Sequence, residues 1–370
     1  MKKILSLLTA AMMIFSLTAC GNSTSTTQSS PDEASNSETP KTVTVTAVDA
    51  NSESVEVTVP YDPQRIVAVD LASLDIIDSL GLGDRVVGAV DTSNLDYLND
   101  YSENEDIVNV GTVKEVDFEK IMACEPDVIF MGGRMAANYE TLSEIAPTIR
   151  LITDAESGVF ESTRSHANLV ASIFGKESEV DSLFTDYETK IAELQKFAEG
   201  KNAVIGMCTS GSFNVLGNGG RCSLIGVEVG FDNLCKDQSS ERSGSKDKSS
   251  SSSESSNKSS SSAESTTEKR SDSSASVSGS DSAHGSESSF ELIVSLDPDY
   301  IFVMDRDAAT GNSASQPAKE IMENELVMST DAYKNGNMII LEHPSVWYTA
   351  EGGVTALGVM ISDLETALLS

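Results

Sequence analysis

Residues 118–134 (FEKIMACEPDVIFMGGR) and residues 290–306 (FELIVSLDPDYIFVMDR) align without a gap. Eight of the seventeen positions are identical, from the opening phenylalanine and glutamate to the closing arginine, too many for coincidence. The chain therefore carries a duplicated unit. Each copy reads as a short helix, a turn at Pro-Asp, a buried apolar strand and an arginine just past the strand's C-terminal end. In open α/β sheets that end is where ligands bind. Two such lobes would turn Arg134 and Arg306 towards a shared cleft.

Working outward, residues 41–59 alternate β-formers with polar residues around Asp49-Ala50-Asn51 and predict an opening hairpin. From Arg65 strand and helix signals alternate: RIVAVD as a strand, 71–80 as a helix stopped by Gly81, then the strands VVGAV and DVIFM. This is the pattern of an α/β lobe with a largely parallel sheet. Between 177 and 198, Val180, Leu183, Phe184, Tyr187, Ile191, Leu194 and Phe197 recur at spacings of three and four, one apolar stripe on a long helix. A second set of strand–helix units starts at Ala203. The expected architecture is α/β: two lobes with mostly parallel sheets joined by a long rigid helix. The lobes would occupy residues 41–175 and 200–370, with the linking helix at 176–199.

Residues 238–289 break this texture. About half are serine, acidic and basic residues nearly cancel, and almost nothing is apolar, so the segment is expected to be a disordered insert. Loop-closure entropy grows slowly with length, so the lobes can fold around it.

The N-terminus carries its own signal. Lys2 and Lys3 precede an apolar run over 4–17, too short to span a bilayer, which takes about 20 apolar residues. Leu17-Thr18-Ala19-Cys20 follows and closes a segment, 1–20, that resembles a bacterial lipoprotein signal peptide with its lipobox, in which the cysteine thiol is diacylated, the signal is cut away and Cys20 becomes the new N-terminus. Residues 21–40, rich in Ser, Thr and Asn, then form a disordered tether. The expected location is the outer face of the cell membrane, lipid-anchored, with a Gram-positive cell favoured.

Composition excludes several functions. With 58 acidic and 25 basic residues the net charge is −33, the opposite of a nucleic-acid footprint. An anionic ligand would be repelled unless basic groups gather where it binds. No GxSxG, P-loop or HExxH motif is present, and three histidines are poor material for acid–base catalysis, so an enzyme is not expected. Bare Zn²⁺ or Mn²⁺ capture would call for clustered histidines and carboxylates. Cys124, Cys208, Cys222 and Cys235 form no CxxC pair; an oxidising exterior permits a disulfide such as Cys222 to Cys235, with buried free thiols the favoured alternative.

The lipobox, the paired lobes and the PD-x-IF…R repeat together resemble the siderophore and vitamin B12 class of ABC-importer binding proteins, and within it the catecholate and petrobactin-type lipoproteins. The resemblance covers residues 41–370 apart from the insert. It implies three cleft arginines, mapping onto Arg134, Arg221 in NVLGNGGR, and Arg306. Seven arginines lie outside the insert, so three at these positions is a concentration. Guanidinium groups suit the negative ferric catecholate complex because they stay charged and offer forked donors. The resemblance also maps Tyr348 and His284 onto positions that complete iron coordination when a siderophore supplies four oxygens; Tyr348 and its neighbour Trp347 are expected in the cleft, with packing aromatics the alternative. The phenolate is the better match to a hard ion. Glu119 and Glu291 would dock onto the permease, one per lobe, although the helix dipole also favours acids at a helix start. His166 and His343 read as structural or surface residues.

The expected function is capture of a ferric siderophore for an ABC permease and its ATPase, by a monomer with no permanent cofactor. Cobalamin or haem held by the same fold is the alternative, and a Ser-rich adhesin or structural lipoprotein the alternative from another class.

Overall fold

The apolar run at the centre of the first repeat forms the strand Val128–Met131, buried at all four positions. Such a run has no solvent face, and it sits inside a sheet covered on both sides. The computed structural model describes residues 41–238, 281–312 and 314–370, with the backbone alone at 281–288. The expected signal peptide, Cys20, the expected tether and most of the Ser-rich segment lie outside the described residues.

The opening hairpin pairs β1 (Thr42–Val48) with β2 (Ser54–Pro60) in antiparallel register. The first sheet then comprises β3 (Ile66–Ala68), β4 (Val86–Ala89), β5 (Val108–Asn109), β6 (Val128–Met131) and β7 (Thr148–Arg150), all parallel, in the order β5-β4-β3-β6-β7. The second sheet has β8 (Asn202–Thr209), β10 (Asp232–Asn233), β11 (Tyr300–Asp305) and β12 (Met338–Ile340) in parallel, ordered β10-β8-β11-β12. Within it β9 (Ser212–Val215) folds back antiparallel on β8.

Ten helices serve the argument: α1 (Leu71–Ser79), α2 (Phe118–Ala123), α3 (Tyr139–Ile145), α4 (Gly158–Phe174), α5 (Glu177–Ala198), α6 (Asp281–Leu296), α7 (Arg306–Ala309), α8 (Glu325–Ser329), α9 (Pro344–Thr349) and α10 (Val354–Leu369). The fold is α/β, two mostly parallel sheets with the 22-residue α5 between them in sequence. Along α5, Val180, Phe184, Ile191 and Leu194 are buried, and Leu183, Tyr187 and Phe197 are half-buried.

Period-two alternation splits the second sheet between two cores. Ala203, Ile205, Phe302 and Met304 face the large apolar cluster that also holds the first sheet, α5 and α10. Val204, Cys208, Ile301 and Val303 face a smaller cluster with Phe290, Ile293 and Met322. All four cysteines outside the N-terminus are buried free thiols.

The second repeat differs from the first in one respect. Its helix, α6, is sixteen residues long against six for α2, and it starts at Asp281, inside the Ser-rich stretch expected to be disordered as far as 289. Once Phe290 and Ile293 anchor its last turns, each further residue adds a backbone bond at little cost. Serines carry no apolar periodicity, so the extension left no trace in the pattern.

The C-terminal helix α10 packs on α1 and α5. Its N-cap, Gly353, offers no side chain, and Asp75 of α1 supplies the cap from 280 residues away. The Asp75 carboxylate accepts from the amides of Thr355 (2.8 Å) and Ala356 (2.9 Å) and from the Tyr97 hydroxyl (2.7 Å). A Cβ at Gly353 would lie 2.4 Å from the Asp75 carboxyl carbon, so a side chain there would break the approach. Burial pushes the Asp75 carboxyl up from 3.8 to about 6, against the lowering effect of its hydrogen-bond donors. The folded state therefore holds this proton more tightly than the unfolded chain. Its contribution to stability is fully present below pH 3.8 and is lost as pH rises through about 6. Asp75→Asn is expected to remove a pH-dependent term on the order of 3 kcal/mol across that window. Urea unfolding of both proteins at pH 4, 5, 6 and 7 checks it; parallel profiles would refute it.

Candidate functional site

Three loops at the C-terminal ends of strands deliver the basic residues. Arg134 follows β6 by three residues, after Gly132 and Gly133. A Cβ at Gly132 would sit 2.3 Å from an Asp70 carboxylate oxygen, so the chain can turn there because the residue is glycine. Asp70 in turn caps α1, accepting from the Ser73 amide at 3.0 Å. Arg306 follows β11 directly and opens α7, capped by Asp305. Arg221 comes from the loop after β9 and precedes Cys222, a non-glycine residue at φ +61. That left-handed backbone is held by Glu351, whose carboxylate accepts from the Cys222 amide at 3.0 Å.

All three arginines converge on one residue of α9, Tyr348. Its carbonyl oxygen accepts from Arg134 Nη2 and from Arg221 Nη1, each at 2.6 Å. Its hydroxyl accepts from Arg306 Nε at 2.9 Å. The guanidinium carbons of Arg221, Arg306 and Arg134 stand 4.1, 5.4 and 5.7 Å from the ring centroid, within cation–π range. Arg306 also donates to Thr209 Oγ1 at 3.0 Å. All four side chains are half-buried, so water reaches the cluster.

Electrostatics follow from this packing. Burial would raise the Tyr348 phenol, but the hydrogen bond from Arg306 and the charges of Arg221, Arg306 and Arg134 outweigh it and hold the phenol below its ordinary 10. Burial, then the charge of Arg221, pulls the Arg134 guanidinium below its usual range. Like charges this close repel, and an anion among them relieves the repulsion. The cluster is chemically an anion receptor built around a phenol.

Trp347 does not join it. Its side chain is fully buried, and its indole N–H donates to Asp363 Oδ2 at 2.8 Å. Consecutive helical residues diverge by about 100°, so Tyr348 faces the arginines while Trp347 faces the core. The expectation that Trp347 touches ligand is corrected accordingly. His284 lies on the backbone of α6, and its side chain is outside the described residues. Glu119 and Glu291 are both exposed. Glu119 stands in the first turn of α2, but Glu291 is the eleventh residue of α6, so the helix dipole accounts for the first alone.

His343 Nδ1 pairs with Asp363 Oδ1 at 2.7 Å. Among the described residues Glu342, His343 and Asp363 bring possible metal donors within 4.8 Å of one another. Asp363, however, already serves Trp347 and the His343 amide and ring. His166 is half-buried, and burial pushes its imidazole down to about 4. Sequence reasoning missed Asp75 and Glu351. Asp75 left one clue, a lone acid between apolar neighbours in LASLDII.

The sequence profile of the periplasmic binding proteins matches residues 66–255 and 271–344. The chain belongs to the periplasmic binding protein family. This family comprises extracytoplasmic binding proteins rather than enzymes. The chain is 29% identical to the petrobactin-binding protein YclQ of Bacillus subtilis over 370 residues, 100% of this chain and 99% of that one. The crystal structure of that protein superposes with a TM-score of 0.69 at 28% identity, covering 89% of this chain and 99% of the other. The periplasmic catecholate-siderophore binding protein VctP of Vibrio cholerae gives 0.67 at 27% identity, covering 88% and 100%. These likenesses place the fold among class III periplasmic binding proteins. Among the described residues no helix is long and apolar enough to cross a membrane.

Proposed function

We propose that this chain captures a ferric siderophore of the catecholate or mixed catecholate type outside the cytoplasmic membrane and delivers it to an ABC importer, its permease and ATPase. The observation that carries this reading is the convergence of Arg134, Arg221 and Arg306 around Tyr348. Catecholate oxygens on Fe³⁺ leave a compact anion, and three forked, permanently charged donors suit it better than a broad macrocycle such as cobalamin or haem. Likeness to petrobactin- and catecholate-binding proteins supports the same ligand class.

In this reading the three arginines hold the ligand's negative oxygens. The lowered phenol of Tyr348 gives up its proton to become an iron ligand when the siderophore supplies four oxygens, with His284 as the further donor. The metal is cargo. Residues 41–175 and 200–370 act as lobes about the 176–199 helix, and Glu119 and Glu291 meet basic residues of the permease. A lipid on Cys20, with 21–40 as tether, keeps the monomer near that permease.

Titration of the purified protein tests the reading. Trp347, the single tryptophan, neighbours Tyr348 and reports on it. Ferric petrobactin is expected to quench its emission saturably, and Tyr348→Phe to weaken binding of a tetradentate ferric catecholate by about tenfold, one charge-dependent contact. Tight binding of haem or cobalamin with no response to ferric catecholates would refute the ligand and spare the fold.

A further inference from the structure

Three carboxylates stand behind the three arginines, one to each. Asp307 follows Arg306 on α7 and is 4% exposed, with Oδ1 3.9 Å from Arg306 Nη1. Its Oδ2 accepts from the Ser210 amide at 2.6 Å, holding a non-glycine residue at φ +51. That turn also fixes Thr209, whose hydroxyl oxygen accepts from Arg306 Nη1 at 3.0 Å. Glu351, in the turn between α9 and α10, serves Arg221 in the same way, by accepting from the amide of left-handed Cys222. Asp70, 8% exposed, packs Oδ1 against Gly132, two residues before Arg134, while its Oδ2 caps α1.

The charges answer one another as the positions do. Burial and the charge of Arg221 pull the Arg134 guanidinium down, and Asp70, then Tyr348 and Glu351, oppose that pull. The formal charges of the three guanidinium groups and the three carboxylates cancel. Such a cluster offers forked donors at short range and little field at long range. A small inorganic anion gains chiefly from the field and engages few donors at once, so it is held poorly. A ferric complex carrying several negative oxygens engages all three forks together. Left-handed backbone at Ser210 and Cys222 is costly, and both costs fall where a carboxylate meets an arginine.

We propose that Asp70, Asp307 and Glu351 are specificity-determining residues of the cleft, which cancel the arginine charge at long range and so reserve the site for a large multidentate anion over phosphate and similar small ions. None of the three has to touch the ligand; each acts through its arginine. The overall charge of −33 does not replace them. Exposed charges more than about 8 Å away are screened at physiological salt, whereas buried ones are screened much less. The inference rests on the anionic siderophore reading above and names what that site excludes.

The test compares the full chain with Asp70→Asn, Asp307→Asn, Glu351→Gln and an Asp307→Asn/Glu351→Gln double variant. Each amide keeps an oxygen to accept from the Ser73, Ser210 or Cys222 amide, so the turns are retained and the charge alone is lost. A Glu140→Gln/Glu325→Gln variant, on exposed positions of α3 and α8, controls for net charge. Calorimetric titrations with inorganic phosphate and with ferric petrobactin, at low and at physiological salt, are the readouts. The expected result is phosphate affinity at least about tenfold higher in the double variant, smaller gains in the singles and none in the control. Ferric petrobactin is expected to bind the double variant at least as tightly as the unchanged chain at low salt, with steeper salt dependence. A merely structural role would weaken both ligands. No gain for phosphate, or loss of both ligands, in the double variant overturns the inference alone. Failure of the unchanged chain to bind ferric petrobactin overturns the functional reading and the inference with it.

Discussion

Replacing Arg134, Arg221 and Arg306 together by alanine is expected to weaken ferric petrobactin binding by at least about a thousandfold. A hydrogen bond to a charged group contributes roughly 1.5–3 kcal/mol, and three acting on one anion sum to more than about 4 kcal/mol even with imperfect additivity. Every 1.4 kcal/mol is about tenfold in affinity. The single Arg221→Ala variant should lose roughly tenfold to a hundredfold, since its guanidinium lies nearest the Tyr348 ring, at 4.1 Å. The triple lysine variant is the informative control: it keeps charge but loses the fork, and is expected to recover part of the affinity and show steeper salt dependence. Equilibrium dialysis at two ionic strengths reads all of these. An alanine triple variant within threefold of the unchanged protein would remove the cluster from the binding site.

Trp347→Ala is expected to destabilise the fold by about 4 kcal/mol, the usual range for deleting a large buried aromatic. Two effects combine. The indole's removal leaves a cavity among fully buried neighbours, and Asp363 loses the donor that holds Oδ2 at 2.8 Å. A buried carboxylate short of a partner is costly in its own right. For a chain of this size such a loss lowers the melting temperature by roughly 8 °C. Circular dichroism is the proper probe, because the substitution removes the only tryptophan. Trp347→Phe should fall between, restoring volume without the N–H. An alanine variant melting within about 2 °C of the unchanged protein would contradict the core assignment.

Part of the site was legible because strands announce their ends. The repeat fixed where β6 and β11 stop, and an arginine just beyond each stop can point only into the crevice above the sheet. Arg221 was reached through resemblance, and the chain offers a local reason for its placement in the strained Cys222 that follows. Trp347 and Tyr348 could not be separated by pattern alone. Adjacent aromatics in the last turn of a short helix give no periodicity to say which one faces the core. The start of α6 was hidden for the opposite reason, a serine-rich polar stretch with no apolar periodicity. Long-range pairs such as Asp75 with Thr355 leave one unmatched acid in the sequence and no mark on the partner, which contributes only a backbone amide.

That last pair bears on when the molecule can become folded. α1 stands near the beginning of the first sheet, yet the wall that covers it is α10, and the cap of α10 is a carboxylate of α1. Contacts so distant in sequence form late, because the intervening chain must be available before they close. A polypeptide emerging N-terminus first cannot complete its first core until residues 354–369 arrive. For a chain proposed to cross a membrane before acting, such lateness is useful: it stays threadable while in transit and locks on reaching the far side.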